Sequence, residues 1–196
     1  MPRDMQAEAS DEALLVLYAN GDAEAARLLT GRLLPRLLRF SARMLSDRTE
    51  AEDVAQETML RLWRIATDWR QGEAQVSTWM YRVAGNLCTD RLRRRSLRGA
   101  TPLDEAPEVA DAAPGVEATM MQADRLIALQ AALDTLPERQ RQAVVLRHIE
   151  GLTNPEIAGV MEIGVEAVES LTARGKRALA ARLAGQKAAL GYEDGV

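Results

Sequence analysis

"LPERQRQAVVLRHIEGLTNPEIAGVM", residues 136–161, is the stretch on which the fold turns. A helix is predicted directly after Pro137, because proline suits a helix start and Arg, Gln, Ala and Leu favour its continuation. Thr153 and Glu156 stand three apart, which is the spacing of a capping box, and they open a short helix over NPEIAGVM. A longer helix is predicted over Val165–Leu183, with Gly164 as its candidate N-cap. Two helices joined by about three residues, the second longer and basic toward its end, have helix-turn-helix geometry. One more helix, Asp124–Leu133, precedes them.

Immediately upstream the pattern stops. Residues 99–122 contain three prolines, five acids and no base, with no apolar period, and read as a flexible acidic linker. Before the linker, periodicity returns. "SDEALLVLYANGD" reads as a short helix capped by Ser10 and ended by Gly21. "DAEAARLLTGRLLPRLLRFSARML" reads as a long amphipathic helix with a kink expected at Pro35. "TEAEDVAQETMLRLWRIA" is the clearest helix. Thr49 and Glu52 match a capping box, and Ala51, Val54, Ala55, Thr58, Leu62 and Ile65 form a core stripe. "STWMYRVAGNLCTDRLRRRSLR" follows a polar loop, with Ser77 as its predicted N-cap. Met80, Val83, Ala84, Leu87 and Arg91 share one face of it, and Arg82, Asn86, Thr89 and Arg93 another. The fold class is all-α. The expected organisation is two small helical domains, residues 8–98 and 123–185, joined by the flexible acidic linker 99–122 and followed by a tail, 186–196.

Composition narrows the function. Hydrophobic residues are 47% and charged residues 28% of the 196, which describes a soluble globular chain. One Cys and one His exclude an intrachain disulfide and a Cys/His zinc cluster. Cys88, beside the core stripe of its helix, is expected to be a buried small hydrophobe, and His148 an ordinary helix residue or a minor DNA or polymerase contact, not a nucleophile and its base. No phosphate loop or metal set is present, so no cofactor and no enzymatic activity are expected. No apolar run is long enough to span a bilayer, and the N-terminus lacks a signal-peptide layout, so a cytoplasmic protein without membrane insertion is expected. The net charge is −4, but residues 1–98 carry 16 bases against 14 acids. Nucleic-acid binding depends on such local excess.

"MLSDRTEAEDVAQETMLRLWR", "STWMYRVAGNLCTDRLRRR" and "LPERQRQAVVLRHIEGLTNPEIAGVM", in that order, resemble the extracytoplasmic-function (ECF) sigma factors. These are small members of the sigma-70 family of bacterial RNA polymerase subunits. The resemblance covers roughly residues 12–98 (sigma region 2) and 124–183 (sigma region 4). It implies an alternative sigma factor that directs core polymerase to promoters and helps to melt the −10 element. The implied partners are core RNA polymerase, through its clamp and flap, promoter DNA, and an anti-sigma factor.

The resemblance also assigns residues. Asp53, Gln56, Glu57 and Leu60, opposite the core stripe, are expected to dock on the polymerase clamp. An exposed Leu beside hydrogen-bonding side chains suits helix-on-helix binding. For the −10 element the candidates are Trp79, Arg82, Asn86, Arg93 and Arg94. Arg supplies charge for phosphates and Asn a donor–acceptor pair for a base edge, while Trp79 and Tyr81 are candidates to stack on a melted base. Loop residues 68–76 match the family's base-capturing loop. For the −35 element the candidates are Glu166, Glu169, Ser170, Arg174, Lys176 and Arg177. Glu169 and Leu171 stand where the family commonly has Lys and Arg, and Glu162 replaces the glycine usual in the turn. The run Arg91, Arg93, Arg94, Arg95, Arg98 meets the acids of the linker abruptly. The arginines are expected to finish a DNA-tracking helix, and the acids to begin a tether that mimics nucleic-acid charge in the polymerase channel. Two other readings stay open: a helix-turn-helix regulator that works without polymerase, and a sigma-like decoy that sequesters an anti-sigma factor.

Overall fold

The computed structural model describes residues 9–70, 72, 75–97, 99 and 116–184. Among these there is no strand. The helices are α1 (Asp11–Ala19), α2 (Ala23–Leu45), α3 (Arg48–Ile65), α4 (Val76–Leu97), α5 (Val116–Asp134), α6 (Glu138–Val144), α7 (Asn154–Met161) and α8 (Val165–Ala184). A 3-10 turn, Ala66–Asp68, extends α3, and a π turn, Val145–Ile149, extends α6.

The first bundle is built around α2. Its residues Ala25, Leu29, Leu33, Leu37, Phe40, Ser41, Met44 and Leu45 are buried, a stripe at helical spacing that α1, α3 and α4 cover. The helix continues through Pro35, which lies on its exposed side. Ser10 caps α1 as expected, accepting from the Ala13 amide at 3.2 Å. Two caps differ from expectation. Asp47, not Thr49, caps α3, accepting from the Glu50 amide at 2.9 Å. Ser46 ends α2 in a left-handed conformation (φ 53°), so the chain reverses in two residues and Asp47 arrives first. Likewise α4 starts at Val76, before Ser77. The Val76 amide donates to Glu12 Oε1 of α1 at 3.0 Å, so a tertiary contact satisfies the helix end.

The core face of α4 is also wider than expected. Val76, Met80, Tyr81, Ala84, Gly85 and Cys88 are buried, while Val83 and Leu87 are half-buried. Tyr81 and Phe40 meet edge-on, with ring centroids 5.3 Å apart. Cys88 lies beside Ser41, and burial pushes its thiol up to about 12.

In the second unit, α5 begins at Val116, inside the stretch expected to be linker. Residues 116–136 contain no Pro or Gly, so nothing interrupts a helix once Gly115 is passed. Residues 100–115, with most of the acidic tether, lie outside the described residues, as does the tail 186–196. Thr153 and Glu156 form the expected capping box. The Thr153 amide donates to Glu156 Oε2 at 2.7 Å, and the Glu156 amide donates to Thr153 Oγ1 at 3.5 Å. The Thr153 hydroxyl and amide hold the Glu156 carboxyl below its usual pKa. We expect Thr153→Ala to cost about 1 kcal/mol at neutral pH. A depressed folded-state pKa stabilises above the unfolded value, and that contribution fades as pH falls through the folded value. The cost of Thr153→Ala, measured by urea unfolding, should therefore shrink in acid; a constant cost would refute the coupling.

Gly175, costly in a helix by propensity alone, has a packing reason. A Cβ there would lie 2.5 Å from Val144 Cγ2 and 3.3 Å from the Gln140 carbonyl oxygen. Val144 is buried and β-branched, so it has little freedom to retreat. Gly175→Ala gains about 1 kcal/mol of helix propensity but overpacks the α6–α8 contact by roughly 2 kcal/mol. The expected result is a net loss in thermal unfolding; a rise in Tm would contradict it.

The two units pack on each other. Arg141 of α6 is 8% exposed and crosses the boundary, donating through Nη1 to the Met44 carbonyl at 2.7 Å and through Nη2 to the Asp134 carbonyl at 2.8 Å. Beside it, Arg43 Nη1 donates to Gln130 Oε1 at 3.0 Å. The end of α2 is thus a socket for the second unit.

Candidate polymerase and nucleic-acid interfaces

The outer sides of α3 and α4 form an open groove of about 430 Å³, lined by Asp53, Gln56, Glu57, Leu60, Arg61, Leu87, Arg91 and Arg94. It arises because α3 spends its other face on the core, through Ala51, Val54, Ala55, Thr58, Met59 and Leu62. All four residues expected to bind polymerase are in it. Asp53 and Gln56 are exposed and Leu60 is 50% exposed. Glu57 Oε1 accepts from Arg61 Nε at 2.8 Å. That bond, with the charges of Arg61, Arg64 and Arg91, holds the Glu57 carboxyl below its ordinary pKa. The rim is charged and hydrogen-bonding around an apolar centre, as protein-docking sites are.

The α4 wall of this groove was not anticipated. By spacing, Leu87 and Arg91 share a face with Met80, Val83 and Ala84, and Arg94 stands among the DNA candidates. Helical rotation explains the difference. Arg82, Asn86 and Arg93 fall within one narrow face, whereas Arg94 is turned a further 100° or so, toward Leu87 and Arg91. Asn86 and Arg93 are exposed. Arg95 is a structural residue. It donates to the Leu45 carbonyl at 3.1 Å and pairs with Asp47 at 3.3 Å and Glu50 at 3.4 Å, tying α4 to the α2–α3 turn. Arg98 lies outside the described residues.

Of the aromatic candidates, Tyr81 is fully buried and so cannot stack on a base in this arrangement. Its hydroxyl donates to Glu150 Oε2 at 2.6 Å. Trp79 is half-buried against the core and meets Trp69 edge-on, with ring centroids 6.4 Å apart. Gln71, Glu73 and Ala74 of the loop lie outside the described residues. Arg82 is occupied. Its Nη2 donates to the Gly159 carbonyl at 3.0 Å, and Nη1 lies 3.4 Å from Glu162 Oε1.

On α8, Val168 and Gly175 are buried, and Glu166, Glu169, Ser170, Arg174, Lys176 and Arg177 are all exposed. Glu169 Oε1 accepts weakly from Asn154 Nδ2 at 3.4 Å, and Arg174 Nε donates to the Ser170 carbonyl at 3.2 Å. The face therefore carries carboxylates at its N-terminal end and cations farther along. His148, exposed at the end of the π turn, has its pKa lowered by partial desolvation and by the charges of Lys176 and Arg147. Among the described residues, no three His, Cys, Asp or Glu side chains converge on a metal site.

Two family descriptions cover the two helical units. Sigma-70 region 2 matches residues 29–98, and sigma-70 region 4 matches residues 126–179. The ECF RNA polymerase sigma factor SigM of Mycobacterium tuberculosis is 37% identical over 181 residues, covering 91% of this chain and 86% of its own. The chain belongs to the ECF sigma factors of the sigma-70 family. Two solved structures share the fold. CnrH, solved with the cytosolic domain of CnrY, has a TM-score of 0.68 at 23% identity, covering 90% of this chain and 99% of its own. The sigma factor RpoE of Bartonella quintana, solved with the anti-sigma factor NepR, has a TM-score of 0.66 at 21% identity, covering 79% and 94%. As a sigma factor, the protein is a transcription initiation subunit that binds core RNA polymerase and promoter DNA, and it is not itself an enzyme. Among the described residues, no helix is long and apolar enough to cross a membrane.

Proposed function

We propose a division of labour within this sigma factor. Asp53, Gln56, Glu57 and Leu60 dock on the clamp of core polymerase, with Leu87, Arg91 and Arg94 completing the groove. Arg82, Asn86 and Arg93 contact the −10 element. Trp79 holds the start of the preceding loop. The exposed face of α8 reads the −35 element while its unit docks on the flap. Arg174, Lys176 and Arg177 serve phosphates, and Glu169, which repels them, reads a base edge by accepting from cytosine N4. The observation that carries this reading is the groove, where a half-exposed Leu60 sits in a ring of charged and hydrogen-bonding side chains.

An anti-sigma factor that masks these polymerase-binding surfaces, acting in the cytoplasm, is the expected control. The structural relative from Bartonella quintana was solved in complex with an anti-sigma factor.

The test is transcription in vitro with core polymerase and a promoter library. Specific initiation, lost in Arg82→Ala and Asn86→Ala, supports the proposal. Core binding without initiation would point to a decoy, and duplex binding without core to a plain helix-turn-helix regulator.

A further inference from the structure

Glu169 is exposed on α8, one residue past buried Val168. Val168 shares a buried cluster with Ile157 and Val160 of α7, so the two helices of the helix-turn-helix are fixed against each other. One residue on, Glu169 is turned about 100° away from that contact. The ordinary reasons for a carboxylate on a helix do not apply to it. Its neighbours three and four residues away are Val165, Glu166, Thr172 and Ala173, so no base of α8 stands at ion-pair spacing. Glu166, in the first turn, suits the positive end of the helix dipole. Glu169 lies past that turn.

Its partner comes from α7. Asn154 Nδ2 donates to Glu169 Oε1 at 3.4 Å. Asn154 is the first residue of α7, between the capping residue Thr153 and Pro155, and both neighbours hold its backbone in place. An ionised carboxylate only accepts hydrogen bonds, so the Asn154 amide turns its NH2 group to Glu169. At 3.4 Å the bond is too long to add much stability. Its effect is to favour one orientation of two side chains on the exposed face. Among the described residues nothing donates to Glu169 Oε2.

We propose that Asn154 and Glu169 form one base-selecting unit for the −35 element, in which Asn154 is a positioning residue and Glu169 Oε2 accepts from the N4 amine of a cytosine. This rests on the reading of the exposed α8 face as the −35 reader. Groove chemistry selects cytosine. Cytosine and adenine both present an amine in the major groove, but adenine sets its N7 lone pair beside the amine, and a group that only accepts is repelled there. Guanine and thymine present acceptors and repel it outright. Asn154 loses an alternative as well. An asparagine free to turn brackets adenine N6 and N7 with its own amide, and the bond to Glu169 draws the amide out of that orientation. The pair therefore discriminates against adenine twice. Arg174, Lys176 and Arg177, farther along α8, supply the attraction to phosphate that a carboxylate withholds.

The experiment uses the full chain assembled with core polymerase and a promoter library randomised over the −35 element, with the bound DNA sequenced. The wild type should prefer cytosine at one position by about tenfold. Glu169→Gln keeps the shape but adds a donor that can pair with adenine N7, so the preference at that position should move to adenine. Asn154→Ala should relax the cytosine preference about threefold, and should leave base preference unchanged in a Glu169→Ala background. A merely structural role for Asn154 would weaken binding in both backgrounds. Wild-type protein on DNA carrying N4-methylcytosine at that position gives a reading without any variant. The methyl replaces the amine hydrogen that faces the groove, and should cost about as much as changing the base. No cytosine preference in the wild type, one that survives Glu169→Gln or N4-methylation, or an Asn154→Ala effect that persists without Glu169 overturns the unit. If Arg174→Ala with Lys176→Ala weakens binding on every −35 sequence while Glu169→Gln leaves base preference unchanged, the reading of α8 stands and the unit falls. If the wild type shows no base preference anywhere in the −35 element, both fall.

Discussion

Phe40→Ala is expected to destabilise the folded chain by about 3–5 kcal/mol. Phe40 is completely buried on α2, and its ring packs edge-on against Tyr81 of α4. Truncation removes the transfer energy of the ring and leaves a cavity between α2 and α4. The neighbours cannot collapse into it readily. Tyr81 is held at its far end by Glu150, and Leu37 and Met44 belong to the same rigid helix stripe. Phe40→Leu, which keeps most of the volume, should cost under about 1.5 kcal/mol. Urea unfolding monitored by far-ultraviolet circular dichroism gives both values. Equal costs for the two variants would mean that the site is plastic and that the α2–α4 contact is not the centre of the bundle.

The second large effect concerns binding. Gln56→Ala combined with Leu60→Ala should weaken association with core polymerase about a hundredfold while leaving unfolding within about 0.5 kcal/mol of wild type. Leu60 is an apolar anchor already half-exposed, so its loss opens no cavity in the free protein. In a complex, the same side chain would be desolvated at the middle of the groove, where truncation is most costly. Competition for core polymerase against a labelled sigma factor measures the affinity. Unchanged affinity would remove the groove as the docking site.

The helical framework was legible because it rests on local signals. The Thr153–Glu156 capping box, the Ser10 cap and the buried spacing of α2 and α3 follow from residues a few positions apart. What escaped was supplied by distant parts of the chain. Glu12 caps α4 from sixty-four residues away, and no helix-end rule reads that. Tyr81 looked available for stacking because one amphipathic face was assumed for α4. Two units pack on that helix, so its buried arc is wider than its apolar pattern. The arginine run looks uniform, yet rotation around α4 sends Arg93 to the face of Arg82 and Asn86, Arg94 to the groove and Arg95 to Asp47 and Glu50. Gly175 looked like a defect until Val144 was seen to stand in the space of its missing methyl. The candidate sites divide in the same way. The α3 half of the groove was visible as an exposed stripe, and the α4 half appeared only when the two helices were set side by side.

The burial of Cys88 bears on its reactivity. It is the single cysteine in these 196 residues, it has no exposed surface, and its raised pKa leaves almost no thiolate at physiological pH. Oxidants and electrophiles act on thiolates, so in the folded arrangement Cys88 is shielded from them. Its thiol becomes reachable only when α2 and α4 part, which makes its rate of labelling a reporter of opening of the first bundle.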